Sequence, residues 1–291
     1  MGYVLLAVTI FTIQVFANKE FTRQMPAGLA GMMIHNALTL AIAAAICACF
    51  GGLAVPDGTV LKFSLIAGVN FTLLLTMGLL SVASGPLGLT SLLTRAGMLI
   101  PTVVGCLFWG ESVTWLKVAG VACMLGLFAL NSLGEKEAAG DAKWLLFTAL
   151  AMVLSGLTST ISKSYTRAAS NVSELTYCMY WFLCTAIICS ACALVLKMRG
   201  TSLAPWLGKT ARKKQLLLSF LAGAGTAGGN LAVMYGFRAM EASLLIPLIE
   251  GGIVLLSVFL SVFLYREKCT KKTILSAVVG IAGIVLLGAA G

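Results

Sequence analysis

Long apolar runs constrain this chain more than any other feature. They recur at about 18 to 23 residues each, and a helix of that length crosses a ~30 Å hydrocarbon layer. Short polar stretches separate them. The runs predict helices at about 2–18, 29–50, 61–81, 86–109, 113–133, 142–164, 174–197, 214–236, 242–265 and 270–289. Only 10% of the residues are charged and 59% are hydrophobic, whereas a soluble domain carries about 25% charged residues. So little polar surface cannot cover a fold in water. Alternating ten-residue strands are absent, which argues against an outer-membrane barrel. The expected fold class is all-α integral membrane, with ten transmembrane helices. The first run is expected to be a span and not a leader, because its first Lys is Lys19 and no small-x-small cleavage site follows.

Two short echoes occur in the same order. Lys19-Glu20-Phe21-Thr22-Arg23 returns as Lys163-Ser164-Tyr165-Thr166-Arg167, and Trp109-Gly110-Glu111 returns as Tyr265-Arg266-Glu267. The first offset is 144 and the second 156, so 12 extra residues fall between the anchors of the second half, in the stretch from Lys197 to Lys214. The chain is therefore expected to be one five-helix unit written twice, over residues 1–139 and 140–291. Five is odd, so the second unit enters the membrane upside-down relative to the first. The result is two inverted repeats, the plan of many secondary transporters, with the binding site near mid-membrane between the halves. Fourteen of the 20 Lys and Arg fall in the loops after the odd-numbered helices and five in the others. The positive-inside rule then puts both termini outside.

The formal charge of +10 comes mostly from these loops and is read as topology and as a match to anionic lipid headgroups, not as a nucleic-acid surface. Eight of the nine Cys lie inside apolar runs, where Cys packs as a small apolar residue. Neither Cys47-x-Cys49 nor Cys189-x-x-Cys192 has a His or acidic residue beside it to complete a metal site. No metal and no cofactor is expected. The chain holds no His/Asp pair, no Gly-rich phosphate loop and no nucleotide-binding domain, so neither an enzyme nor an ATP-driven pump is expected.

Phe108-Trp109-Gly110-Glu111-Ser112, followed by Gly120 to Gly126, resembles the end of an EamA domain of the drug/metabolite transporter superfamily. Met234-Tyr235-Gly236-Phe237, Ala242-Ser243-Leu244-Leu245-Ile246-Pro247-Leu248 and Glu267 resemble the third to fifth helices of the same domain. The Lys closing the first helix of each half, Lys19 and Lys163, also fits. The resemblance covers nearly the whole chain as two tandem domains. It implies a ten-helix basket with a central cavity lined by helices one, three, four, six, eight and nine. It implies transport of amino acids, other metabolites, sugars, nucleotide sugars or drugs. The fourth helix departs from symmetry, with Pro86 early and Pro101 late against a mid-helix Pro247 in the ninth.

A charge at the centre of a span costs about 2.5 kcal/mol or more and usually faces a cavity or a partner. Three ionisable residues qualify: His35, Arg95 and Glu250. Under the 156 offset Glu250 maps to Thr94, one residue from Arg95. The two charges can thus meet if the fourth and ninth helices face each other. Two readings stand side by side. One is a structural ion pair; the other is a substrate site in which Arg95 forks a carboxylate and Glu250 takes an ammonium or a proton. His35, with Asn36, is read as an interhelical contact before a proton relay. Gln14, Asn18, Asn70, Thr94, Thr158, Asn230 and Tyr235 lie on the helices that the resemblance assigns to the cavity. Gln14 and Asn18 share a helix face and map by the 144 offset to Thr158 and Ser162, so they are read as lining. Gly225-x-x-x-Gly229 is a close-packing signature.

The expected function is a secondary transporter that moves a small polar metabolite, an amino acid or a relative, by alternating access. Glu250 is the candidate proton-coupling group. The alternatives are an exporter of hydrophobic cations or drugs and, in a different class, a non-transporting membrane scaffold. Expected partners are the small-molecule substrate and the lipid bilayer, with the protein a monomer or homodimer. Compact loops point to a multi-pass protein of the bacterial inner (plasma) membrane.

Overall fold

The computed structural model describes residues 1–24, 28–51, 53–85, 87–132, 141–168, 172–200, 209–264 and 270–290. Pro86, the echo Tyr265-Arg266-Glu267, Cys269, the boundary at 139–140 and much of the long second-half loop lie outside the described residues.

The regular structure of the described residues is all helical: α1 (Gly2–Gln24), α2 (Leu29–Gly51), α3 (Gly58–Ser84), α4 (Leu87–Ala96), α5 (Leu99–Phe108), α6 (Trp115–Ser132), α7 (Ala142–Arg167), α8 (Glu174–Met198), α9 (Lys209–Ala239), α10 (Ala242–Leu264) and α11 (Lys271–Ala290). Among the described residues nine helical spans are long and apolar enough to cross a membrane, α4 and α5 counting as one, and Trp115–Asn131 is a shorter apolar helix. The faces of α11 show which solvent this requires. Ser276, Gly280, Gly283 and Leu287 are buried. Ile274, Val278, Ile281 and Val285, on the same 4-3-4 spacing, are each more than half exposed. An apolar stripe turned outward is stable only against lipid. The protein is an all-α integral membrane protein.

Two differences from the sequence reading concern boundaries. The echo Lys19 to Arg23 belongs to the last turns of α1, and Lys163 to Arg167 to those of α7, so the echoed residues are helical and not loop. The run over 86–109 is expected as one helix, yet it breaks at Gly97–Met98. Pro101 is the cause. It has no N–H to return to the Gly97 carbonyl four residues back, and its ring crowds that carbonyl. The turn tightens instead to three-residue bonds: Gly97 N to Thr94 O at 3.1 Å, Met98 N to Arg95 O at 3.1 Å and Ile100 N to Gly97 O at 3.0 Å. Pro247 leaves α10 unbroken.

The chain divides into two compact units, each drawn from both halves of the sequence. One comprises Met1–Val8, Leu73–Lys163 and Tyr235–Gly291. In it α6 packs along α11, and α10 touches α5, α6 and α11. Small residues set these approaches. A β-carbon on Gly156 of α7 would sit 2.5 Å from the Gly97 oxygen and 2.6 Å from Ile100 Cβ, so the break in α4–α5 rests directly on the α7 backbone. The other unit comprises Thr9–Thr72 and Ser164–Met234, with α2 packed along α8. There Gly225 and Gly229 of α9 take Gln14 and the Phe11 ring of α1, the close packing that the glycine spacing predicts. A run of aromatic rings (Phe63, Tyr165, Tyr177, Trp181 and Phe182) fills its core.

Candidate functional site

Arg95 sits in the last turn of α4, immediately before the break, where a cation complements the negative end of the helix. Its Nη1 donates to Glu250 Oε2 of α10 at 2.5 Å. The side chains keep 28% and 32% of their exposure, so the pair is neither sealed in the core nor free in solvent. The guanidinium carbon also lies 6.0 Å from the centroid of the Phe128 ring. Among the described residues Arg95 spends one of its five N–H donors, on Glu250, and a planar guanidinium of this kind can also take a second carboxylate.

Polar anchors hold both helices of the pair. On α4, Thr90 Oγ1 accepts from Trp144 Nε1 at 2.8 Å and from Ser81 Oγ at 3.3 Å, and Ser81 in turn meets Thr148. All four residues are buried. On α10, the buried Glu111 carboxylate accepts both Ala242 N at 2.8 Å and Ser243 N at 2.9 Å. Leu244 N and Leu245 N donate to Glu241 O at 3.2 and 2.9 Å. The first four N–H groups of the helix, which have no partner inside it, are thereby all satisfied. Lys117 Nζ pairs with Glu241 Oε2 and donates to Ser112 O at 2.7 Å. Lys163 Nζ donates to Phe237 O at 2.6 Å and Met240 O at 3.1 Å, capping the end of α9.

Glu111 reaches α10 because α5 ends in a particular way. Gly110 takes φ +71°, the left-handed region that costs glycine nothing. The chain turns back, and Glu111 N donates to Gly105 O at 3.1 Å. This explains the Gly110-Glu111 order in the first half: the glycine turns the chain and the glutamate caps another helix.

A family model described as the EamA-like transporter family matches residues 142–289, just over half of the chain. The chain belongs to this family. It is therefore a membrane transporter of the drug/metabolite type, a multi-pass protein whose partners are a small-molecule substrate and the bilayer. One solved crystal structure is similar with a TM-score of 0.78 at 16% identity, covering 100% of this chain and 99% of its own, and that likeness establishes the fold. No curated protein matches the chain.

The other predicted site residues of this EamA-like transporter fall in both units. Thr94 lies in the same turn as Arg95, and Thr158 Oγ1 donates to Leu154 O at 2.9 Å within α7. The Tyr235 ring stacks on Tyr3 with centroids 6.3 Å apart. In the second unit Gln14 Nε2 donates to Thr226 Oγ1 at 2.7 Å, and Asn230 Nδ2 to Thr226 O at 2.8 Å. Asn70 is buried. Asn18 Oδ1 meets His35 Nε2 at 3.3 Å, while His35 Nδ1 meets Ser219 Oγ at 3.0 Å. The imidazole, stacked on Phe21, joins α1, α2 and α9 as an interhelical contact. Among the described residues no His, Cys, Asp and Glu cluster could hold a metal ion.

Sequence reasoning missed Glu111, Lys117, Lys163 and Thr90 as parts of the site's support. The signal was present for two of them. Glu111 and Lys163 are echo residues, but repetition marks a position without naming what it binds.

Proposed function

We propose that this transporter is a secondary carrier of an amino acid or a closely related zwitterion, with Arg95 and Glu250 as its cargo site. The observation that carries this reading is an ion pair inside the spans that keeps about a third of its exposure and, among the described residues, uses one of the five Arg95 donors. A cargo carboxylate takes the guanidinium in a bidentate fork, and the cargo ammonium takes Glu250. One ion pair is thus exchanged for two, and the loaded site stays neutral. Neutrality matters because an uncompensated charge in a low-dielectric interior costs several kcal/mol. Without cargo the two side chains compensate each other. Glu250 is also the group through which H⁺ couples to transport.

The repeat carries the rest of the reading. Residues 1–139 and 140–291 act as two inverted five-helix halves that rock around the site and expose it to each side in turn. Thr94, Thr158 and Tyr235, in the same unit as the ion pair, contribute further polar contacts to the cargo. The host membrane is the bacterial inner membrane, with both termini outside, and the carrier works as a monomer or homodimer.

Uptake into proteoliposomes tests this directly. Labelled amino acids and a panel of hydrophobic cations are offered with and without a pH gradient. Saturable flux of a zwitterion, abolished in Arg95→Gln, is expected. Flux of the cations alone assigns the protein to drug export, and no flux of any cargo removes the carrier reading.

A further inference from the structure

We infer that Glu111 is a positioning residue for Glu250, acting through the N-terminus of α10. The inference rests on the reading of Arg95 and Glu250 as the cargo site. Glu111 touches neither group. Its carboxylate takes the Ala242 and Ser243 N–H groups, and Glu250 follows Ser243 by seven residues, two turns along the same helix face. Where the first turn goes, the Glu250 carboxylate follows, about 10 Å further along a helix that Pro247 leaves unbroken.

The first turn depends on outside support more than usual. Pro247 has no N–H, so the Ser243 carbonyl loses its bond within the helix. Support comes instead from groups far away in sequence. Glu111 is 131 residues from Ala242, Lys117 is 124 from Glu241, and Lys163 is 74 from Phe237. An anion at the start of α10 and a cation at the end of α9 each complement the adjoining helix dipole. The short Met240–Glu241 connection is therefore held by charge on both sides. Glu111 is itself held, since a β-carbon on Gly105 would collide with its carboxylate.

That collision supplies a second perturbation. Glu111→Gln removes the charge, while Gly105→Ala displaces the intact carboxylate. Both variants are made in the full chain and purified beside wild type and Glu250→Gln. Hydrogen exchange in detergent is read first, because it needs no cargo. Exchange about tenfold faster over Ala242 to Glu250 and unchanged elsewhere is expected of both variants. Acceleration spread evenly over the chain, or stopping at Leu245, overturns the inference in favour of a general stabilising role. Zwitterion uptake is read second. Glu111→Gln is expected to raise KM about tenfold and to add nothing in a Glu250→Gln background. Independent, additive losses overturn it as well. Should wild type move no zwitterion, the cargo reading fails, while the exchange result still decides whether Glu111 holds α10.

Discussion

Replacing Arg95 or Glu250 by Gln, singly and together, tests whether the two charges act as a unit. Their Nη1 to Oε2 distance is 2.5 Å, and the side chains are 28% and 32% exposed. Unit charges about 4 Å apart attract by about 4 kcal/mol at an effective dielectric of 20. Desolvation offsets most of that. Removing one partner from a fully buried pair costs about 3–5 kcal/mol, whereas an exposed pair contributes about 0.2–1 kcal/mol. A pair with one-third exposure falls between, near 2 kcal/mol for a single replacement and a coupling of about 1–2 kcal/mol. The two singles are not equal. Glu250→Gln strands a guanidinium that cannot shed its proton, relieved among the described residues by the Phe128 ring at about 0.5–1 kcal/mol. Arg95→Gln strands a carboxylate, which can take up a proton. Glu250→Gln is therefore the less stable single, and the double variant is more stable than the sum of the singles allows. Thermal unfolding of the four detergent-purified proteins gives the cycle. A coupling below about 0.3 kcal/mol, the scatter of independent sites, refutes the reasoning. The exchange Arg95→Glu with Glu250→Arg separates pairing from cargo binding. It restores stability under either role, but it restores uptake only if the pair is purely structural.

Three further outcomes are expected. Gly156→Ala places a methyl group against the Gly97 carbonyl and Ile100, and overpacking of this kind costs about 1–3 kcal/mol. Gly78→Ala, with nothing within 4 Å of its β-carbon, is the neutral control in the same melting assay. Lys163→Met keeps the bulk but uncaps α9, and the loss of two charged hydrogen bonds is expected to lower stability by about 2 kcal/mol in chemical denaturation. His35→Ala removes the link from Asn18 to Ser219 and empties a buried site, with an expected cost of about 2–4 kcal/mol by thermal melting. His35→Gln, which can keep one of the two bonds, costs about half as much.

The spans were legible because their signal is local. Length and apolarity belong to each segment, and lipid imposes both. The charge pair was legible because lipid makes candidates scarce, and one numerical offset sufficed to bring Arg95 beside Glu250. The break in the fourth span was half legible. Pro101 was visible, but a proline disturbs the turn before it, so α4 ends at Ala96 and the proline itself sits in the first turn of α5. The anchors were not legible. Glu111 binds a main chain 131 residues away and Lys163 one 74 residues away, and neither α10 nor α9 announces in its own sequence what will cap it. For Gln14 and Asn18 the spacing identified a common face but not its neighbour. Gln14 meets Thr226 and Asn18 meets His35, so part of their bonding capacity goes to joining helices.

The two helices of the ion pair are supported alike but end differently. Thr90 anchors α4 five residues before Arg95, and Ser243 anchors α10 seven residues before Glu250. Beyond its charge α10 runs on to Leu264, with α5, α6 and α11 packed on it. By contrast α4 stops one residue after Arg95, at a turn where the regular bonds lapse. A residue at a helix end keeps freedom that a mid-helix residue lacks. Separation of the pair is therefore expected to be carried by Arg95 and the last turn of α4, with Glu250 as the fixed side. The glycines at the break fit this division: Gly97 and Gly156 bring the two backbones together, with the Ile100 side chain lying against Gly156. The same argument explains why the anchoring carboxylate is needed on α10. The fixed partner of the pair must be held from outside, because Pro247 has weakened its first turn from within.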